Sequence, residues 1–158
     1  MLRSFILETP AEFTSPDSIH AEREWNPHAP PRVLLAHADE TRREGLAWEL
    51  GACGCTVVEV EDGKELLDYL DCSGAFPPLP RPDVIVAELD MPGCSGLDAA
   101  RALRARGDHT PIVFINVSSS PSSAIAAARL PLTRLLDGDI EGGVLRAAVD
   151  TALRDHLP

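Results

Sequence analysis

The feature that most constrains this chain is an alternation of short apolar runs with stretches of helical spacing, which sets in at residue 32 and is repeated five times. RVLLAH (32–37), CTVVEV (55–60), DVIVAE (83–88), PIVFINV (111–117) and LTRLL (132–136) read as strands. The first, RVLLAH, suits a strand buried on both faces, and DVIVAE is a further apolar strand. Between them, DETRREGLAWELGAC places Leu46, Trp48 and Leu50 on a helix, and DGKELLDYL forms a second helix opened by Asp62. LDAARALRARG is a third, stopped by Gly107. SSAIAAARL is a weaker fourth after a run of serines, and IEGGVLRAAVDTALRDH is an amphipathic fifth with Gly142-Gly143 near its start.

Strands that alternate with helices form a parallel sheet covered on both faces, because the crossovers are right-handed and place the helices outside. In such open sheets the working site lies beyond the carboxyl ends of the strands. That rule selects His37, Ala38 and Asp39, then Glu61 and Asp62, Glu88, Asn116 and Asp137. Residues 1–31 differ in kind. The segment SPDSIHAEREWNPHAPP is polar and Pro-rich, so 1–31 reads as a flexible tail, with a docking motif around Trp25 as the alternative to local packing, and 32–158 as one domain.

Bulk composition removes several classes of function. The 158 residues carry a net charge of −11, which repels nucleic acid and anionic membrane surfaces alike. No apolar window is long enough to span a bilayer, and MLRSFILETPAEF lacks the pattern of a signal peptide, so the expected location is the cytoplasm. Of the four cysteines, Cys53 and Cys55 form a Cys-x-Cys step instead of a zinc-type pair, so Cys53, Cys55, Cys72 and Cys94 are read as reduced thiols.

The segments RVLLAHADE, VVEVEDGKELL, PDVIVAELDMPGCSGLDAARALR, TPIVFINV and LTRLLDGDI, taken in order, resemble the receiver domain of two-component response regulators over roughly residues 32–155. The Met-Pro-Gly-x-Ser-Gly-Leu turn after an apolar strand is the most specific of these signals. The resemblance implies an α/β fold of the flavodoxin-like (βα)5 type, a doubly wound parallel five-stranded sheet in the order 2-1-3-4-5. It also implies phosphotransfer from a histidine kinase to an aspartate ending the third strand, with an acidic pair holding Mg²⁺ after the first strand. A Thr or Ser on the fourth strand, a Lys on the fifth and an aromatic before that Lys complete the family's switch.

Every one of those positions departs from the pattern here. Glu88 stands at the phosphoacceptor position, His37 and Ala38 at the acidic pair with Asp39 next, Asn116 at the hydroxyl position, Asp137 at the lysine position and Arg134 at the aromatic one. The only lysine of the chain is Lys64, entering the second helix. Mg²⁺ requires about six hard oxygen ligands, usually including one or two carboxylates, and His-Ala supplies neither carboxylate. A phosphoryl group adds about −2 charges, and Asp137 adds a like charge where the family places a cation. The expectation is a degenerate pseudo-receiver, without catalysis or cofactor, that acts stand-alone as a regulator or adaptor through protein–protein contacts. Its partner is another signalling protein (kinase, regulator or output protein) or a second copy in a homodimer, met through the face of helix four, strand five and helix five: Ile125, Ala128, Arg134, Val144 and Ala148.

Two alternatives stay open on the sequence. One is a divergent response regulator still phosphorylated or metal-bound at the Glu88 pocket. The other is a small metal-dependent enzyme around His37, if His37, Glu88 and Asp137 converge. Without a metal, the same neighbours are expected to hold His37 protonated by raising its pKa. Glu88 as a built-in phosphate mimic is a further expectation. The loop HADETRR offers no glycines or hydroxyl cradle for a phosphate, and SSSPSS (118–123) reads as a loop and helix cap.

Overall fold

The computed structural model of the protein describes residues 28–72, 79–117 and 120–156. Trp25 with most of the Pro-rich tail, and Ser118 and Ser119 of the serine run, lie outside the described residues. The elements are β1 (Arg32–Ala36), α1 (Glu40–Ala52), β2 (Thr56–Val60), α2 (Gly63–Cys72), β3 (Val84–Glu88), α3 (Gly96–Ala105), β4 (Ile112–Asn116), α4 (Pro121–Arg129), β5 (Thr133–Asp137) and α5 (Gly142–His156). The strands pair in parallel in the order β2-β1-β3-β4-β5, as expected.

Alternation along the three central strands divides the core in two, since successive side chains point to opposite faces. Leu34, Ala36, Ile85, Ala87, Ile112 and Phe114 pack beneath α2, α3 and α4. Val33, Leu35, Val84, Val86, Val113 and Ile115 pack beneath α1 and α5, against Leu50, Leu145 and Val149. The helix starts follow from their capping residues. The side chains of Asp39, Ser95 and Ser120 accept the N–H groups of Arg42, Asp98 and Ser123. Asp62 accepts the N–H of Glu65 while the Glu65 carboxylate accepts the N–H of Glu61, one residue earlier, and the two bonds fix the entry to α2.

Two expectations need correction. Trp48 is 75% exposed, because the buried stripe of α1 runs through Arg43, Leu46, Ala47 and Leu50, at spacings of three and four, and Trp48 lies off it. The fifth strand begins one residue later than its apolar run, because Leu132 sits in a left-handed turn (φ 57°) ahead of Thr133. Asp137 is therefore the last residue of the strand, register-paired with Asn116.

Candidate functional site

The carboxyl ends of β1, β3, β4 and β5 form the upper rim of the sheet, and the sequence-selected residues divide there into two separate groups. At β1 and β3, the Glu88 carboxylate accepts the Ala38 N–H at 3.1 Å and lies 3.5 Å from His37 Nδ1. At β4 and β5, Asn116 Nδ2 donates to the Asp137 carboxylate at 2.6 Å. Among the described residues no three His, Cys, Asp or Glu side chains come close enough to hold a metal ion, so the convergence of His37, Glu88 and Asp137 does not form. The reason lies in the side chains: Asn116, on the strand between β3 and β5, takes up the Asp137 carboxylate, while the Glu88 carboxylate turns to the Ala38 N–H.

His37 is only 1% exposed, although it ends a strand beside a polar rim. Its Nδ1 accepts the Asp39 N–H at 3.1 Å, so the neutral ring carries its proton on Nε2. The expected rise in its pKa is reversed. Desolvation by burial lowers it, outweighing the opposing pull of Glu88 and Asp39. The carboxylates are where the sequence puts them; the depth of the imidazole is what the sequence conceals.

This has a measurable consequence. A folded pKa below the unfolded value means that only the unfolded chain takes up the proton just below pH 6.5, so folding is favoured above that pH and loses stability as pH falls. The urea midpoint is expected to fall between about pH 7 and pH 5, and a His37→Phe variant is expected to show a shallower decline. An equally steep decline in that variant would assign the pH response to other groups.

Arg43 is a site residue that sequence reasoning passes over. It is buried, and its Nη1 donates to the His37 carbonyl at 2.8 Å while the guanidinium meets Glu59 and Glu61 at 3.6 and 3.9 Å. A buried cation requires such partners, and they leave it committed to holding the end of β1. Its signal was present in the chain: Arg43 stands three and seven residues before Leu46 and Leu50, on their helix face. Arg42, nearest the rim, pairs with Asp139 at 3.1 Å, and Lys64 pairs with Asp68 along α2. Both cations are thus matched to other carboxylates.

Gly96 sets the distance between α3 and β3. A Cβ there would lie 2.2 Å from the Glu88 carbonyl oxygen, so the glycine of the Ser-Gly turn is a steric requirement for seating α3 against the end of β3.

The face named for partner contact is only partly as expected. Ile125 and Val144 are 54% and 51% exposed, and Ala128 is exposed on α4. Arg134 is engaged by Asp155 of α5. Ala148 is a correction, being half-buried against the α1/α5 core because it turns inward beside Leu145 and Val149. Leu132, which the sequence reading did not select, is 40% exposed beside this face.

The family model for the response regulator receiver domain matches residues 33–150. The response regulator MprA of Mycolicibacterium vanbaalenii is 34% identical over 97 residues, covering 61% of this chain and 39% of that protein. MprA of Mycobacterium bovis is 34% identical over 95 residues, covering 60% and 38%. The chain thus matches about two fifths of the length of these relatives. Among solved structures, the Francisella response regulator 1452 receiver domain superposes with a TM-score of 0.70 at 21% identity, covering 80% of this chain and 99% of that one. The Vibrio cholerae chemotaxis protein CheY4 gives 0.68 at 23% identity, covering 79% and 100%; both likenesses concern the fold. With the five-stranded order, the rim at the strand ends and the match over residues 33–150, the chain belongs to the response regulator receiver domain family of two-component signalling.

Proposed function

We propose that this receiver domain is a pseudo-receiver, which regulates or bridges signalling proteins by direct contact and does so independently of aspartyl phosphorylation. The observation that carries the reading is the state of the rim. Glu88 is bound to the Ala38 N–H beside a neutral imidazole, Asp137 is bound to Asn116, and no cation is free among them. A phosphoryl group arriving there would add about −2 charges to two carboxylates, with neither the Mg²⁺ ligands nor the lysine that offset them elsewhere in the family. Chemistry at Glu88 therefore lacks electrostatic support, and the domain is read as a binding module, not an enzyme.

The surface offered to a partner is formed by α4, β5 and α5, where Ile125, Leu132 and Val144 present apolar side chains to solvent. Ala127 is the one fully buried side chain of α4, with Ala124 and Ala126 partly buried against the same core, so that helix is held by small side chains and is read as the element adjusted on binding. The expected partner is another signalling protein or a second copy of this chain. No helix among the described residues is long and apolar enough to cross a membrane.

The experiment is a titration of the chain with Mg²⁺ and beryllofluoride, a phosphoryl mimic, followed by amide NMR. The expected result is that the resonances of Ala38, Glu88, Asn116 and Asp137 do not move. Saturable shifts at these residues would return the site to phosphotransfer.

A further inference from the structure

Below the rim, on the α1 and α5 side of the sheet, a cavity of about 230 Å³ lies between α1, the end of β4 and the loop joining β5 to α5. Leu46, Ile115 and Ile140 supply its apolar walls, and His37 and Glu49 its polar ones. The paired Arg42 and Asp139 lie at its mouth, with side chains 45% and 89% exposed. Among the described residues, the buried side-chain polar atoms without a hydrogen-bond partner are His37 Nε2 and Glu49 Oε2, and both residues line this one cavity. Buried polar atoms are almost always satisfied, so two such exceptions around one space call for a physical cause.

Their orientation follows from the strand. His37 continues the alternation of Val33 and Leu35, which puts its ring on the α1/α5 face. With Nδ1 given to the Asp39 N–H and turned towards Glu88, the opposite edge of the ring, carrying Nε2–H, is left on the cavity side. Glu49 brings an acceptor from α1. A cation would oppose the Nε2–H, an anion would oppose Glu49 and Asp139, and a neutral group that accepts next to where it donates satisfies both.

We infer that this cavity binds a small neutral ligand of the lactam or carboxamide type, whose carbonyl accepts from His37 Nε2–H, whose N–H donates to Glu49, and whose apolar body rests on Leu46, Ile115 and Ile140. The volume, below the roughly 300 Å³ at which drug-sized pockets begin, restricts the ligand to a fragment-sized molecule. The inference stands on Nε2 and Glu49 and does not depend on how the Glu88 rim is read.

The test uses the full chain and δ-valerolactam as probe, with N-methyl-valerolactam as the matched molecule lacking the donor. Amide resonances of Gly45, Leu46, Gly138 and Ile140 are expected to shift saturably with the lactam, together with the His37 ring nitrogens. The N-methyl analogue and a Glu49→Leu variant are each expected to bind about tenfold or more weakly, because each removes a hydrogen bond to a charged acceptor. A Leu46→Trp variant, which fills the space from the α1 wall, is expected to abolish the shifts while unfolding cooperatively. Absent saturation, equal binding of both lactams, unchanged binding by Glu49→Leu, or a lactam-soaked crystal with only ordered water in the cavity would each overturn the inference.

Discussion

A Gly96→Ala variant will be less stable than the natural chain by about 2–4 kcal/mol, read as a lowered urea midpoint at unchanged slope. The added Cβ would meet the Glu88 carbonyl oxygen at 2.2 Å and its carbon at 3.2 Å. These are backbone atoms of a central strand and cannot swing aside as a flexible side chain would. Intrinsic preference points the other way, since alanine in a helix interior is favoured over glycine by up to about 1 kcal/mol. The clash is the larger effect, because relieving it moves the first turn of α3 away from β3. Gly51, also helical, has nothing within 4 Å of an added Cβ, so Gly51→Ala isolates the propensity term and should be neutral or slightly stabilising. Equal behaviour of the two variants would mean that α3 is not held against the Glu88 carbonyl.

The second large effect is expected from Phe114→Ala, which should cost about 3–5 kcal/mol. Phe114 is fully buried at the middle of β4, with Ala87 and Leu135 beside it on the neighbouring strands. Its ring belongs to the core cluster shared with α3 and α4. A strand paired on both sides cannot collapse into the space left behind, which puts the cost in the upper part of the range for large-to-small changes. The helix expected to lose footing is α4, whose contribution to that cluster is small side chains only, Ala127 fully buried and Ala124 and Ala126 partly so. Amide exchange in α4 should therefore rise more than in α1, on the opposite face. A uniform rise across all helices would show that α4 is as firmly held as the rest.

The fold was legible because the signals that determine it are local and repeated. The continuous apolar runs of β1, β3 and β4 mark strands covered on both faces, and Asp62 and the serine run, read as helix openers, make the caps expected of them, as Asp39 and Ser95 also do at α1 and α3. Where local signals are weak the reading slipped. Trp48 reads as part of an apolar helix face only because its neighbours at two residues' distance are leucines. Leu132 extended an apolar run that the backbone ends with a left-handed turn.

The candidate site was legible as a set of positions and not as an arrangement. Strand ends identified Glu88, His37, Asn116 and Asp137, yet which of them meet depends on strand order and side-chain reach, and the structure gives two pairs where one cluster was conceived. The state of His37 turned on a competition between Coulomb attraction, visible in the sequence, and desolvation, which depends on a burial that no residue pattern declares. Glu49 went unnoticed for the same reason. As one acidic residue on α1 it carries no mark until one of its carboxylate oxygens is found buried in the wall of the cavity that His37 also lines.

The central claim is that the rim at Glu88 has lost its response to a phosphoryl group, and the most direct measurement is the Mg²⁺ and beryllofluoride titration run in parallel on two proteins. One is the natural chain; the other carries His37→Asp, Ala38→Asp, Glu88→Asp, Asn116→Thr and Asp137→Lys, which returns the family's residue types to its positions. The account predicts saturable amide shifts at the rim of the restored protein and none in the natural chain. Saturable shifts at Glu88, Asn116 and Asp137 of the natural chain would contradict it, and would make Glu88 the acceptor of a working switch.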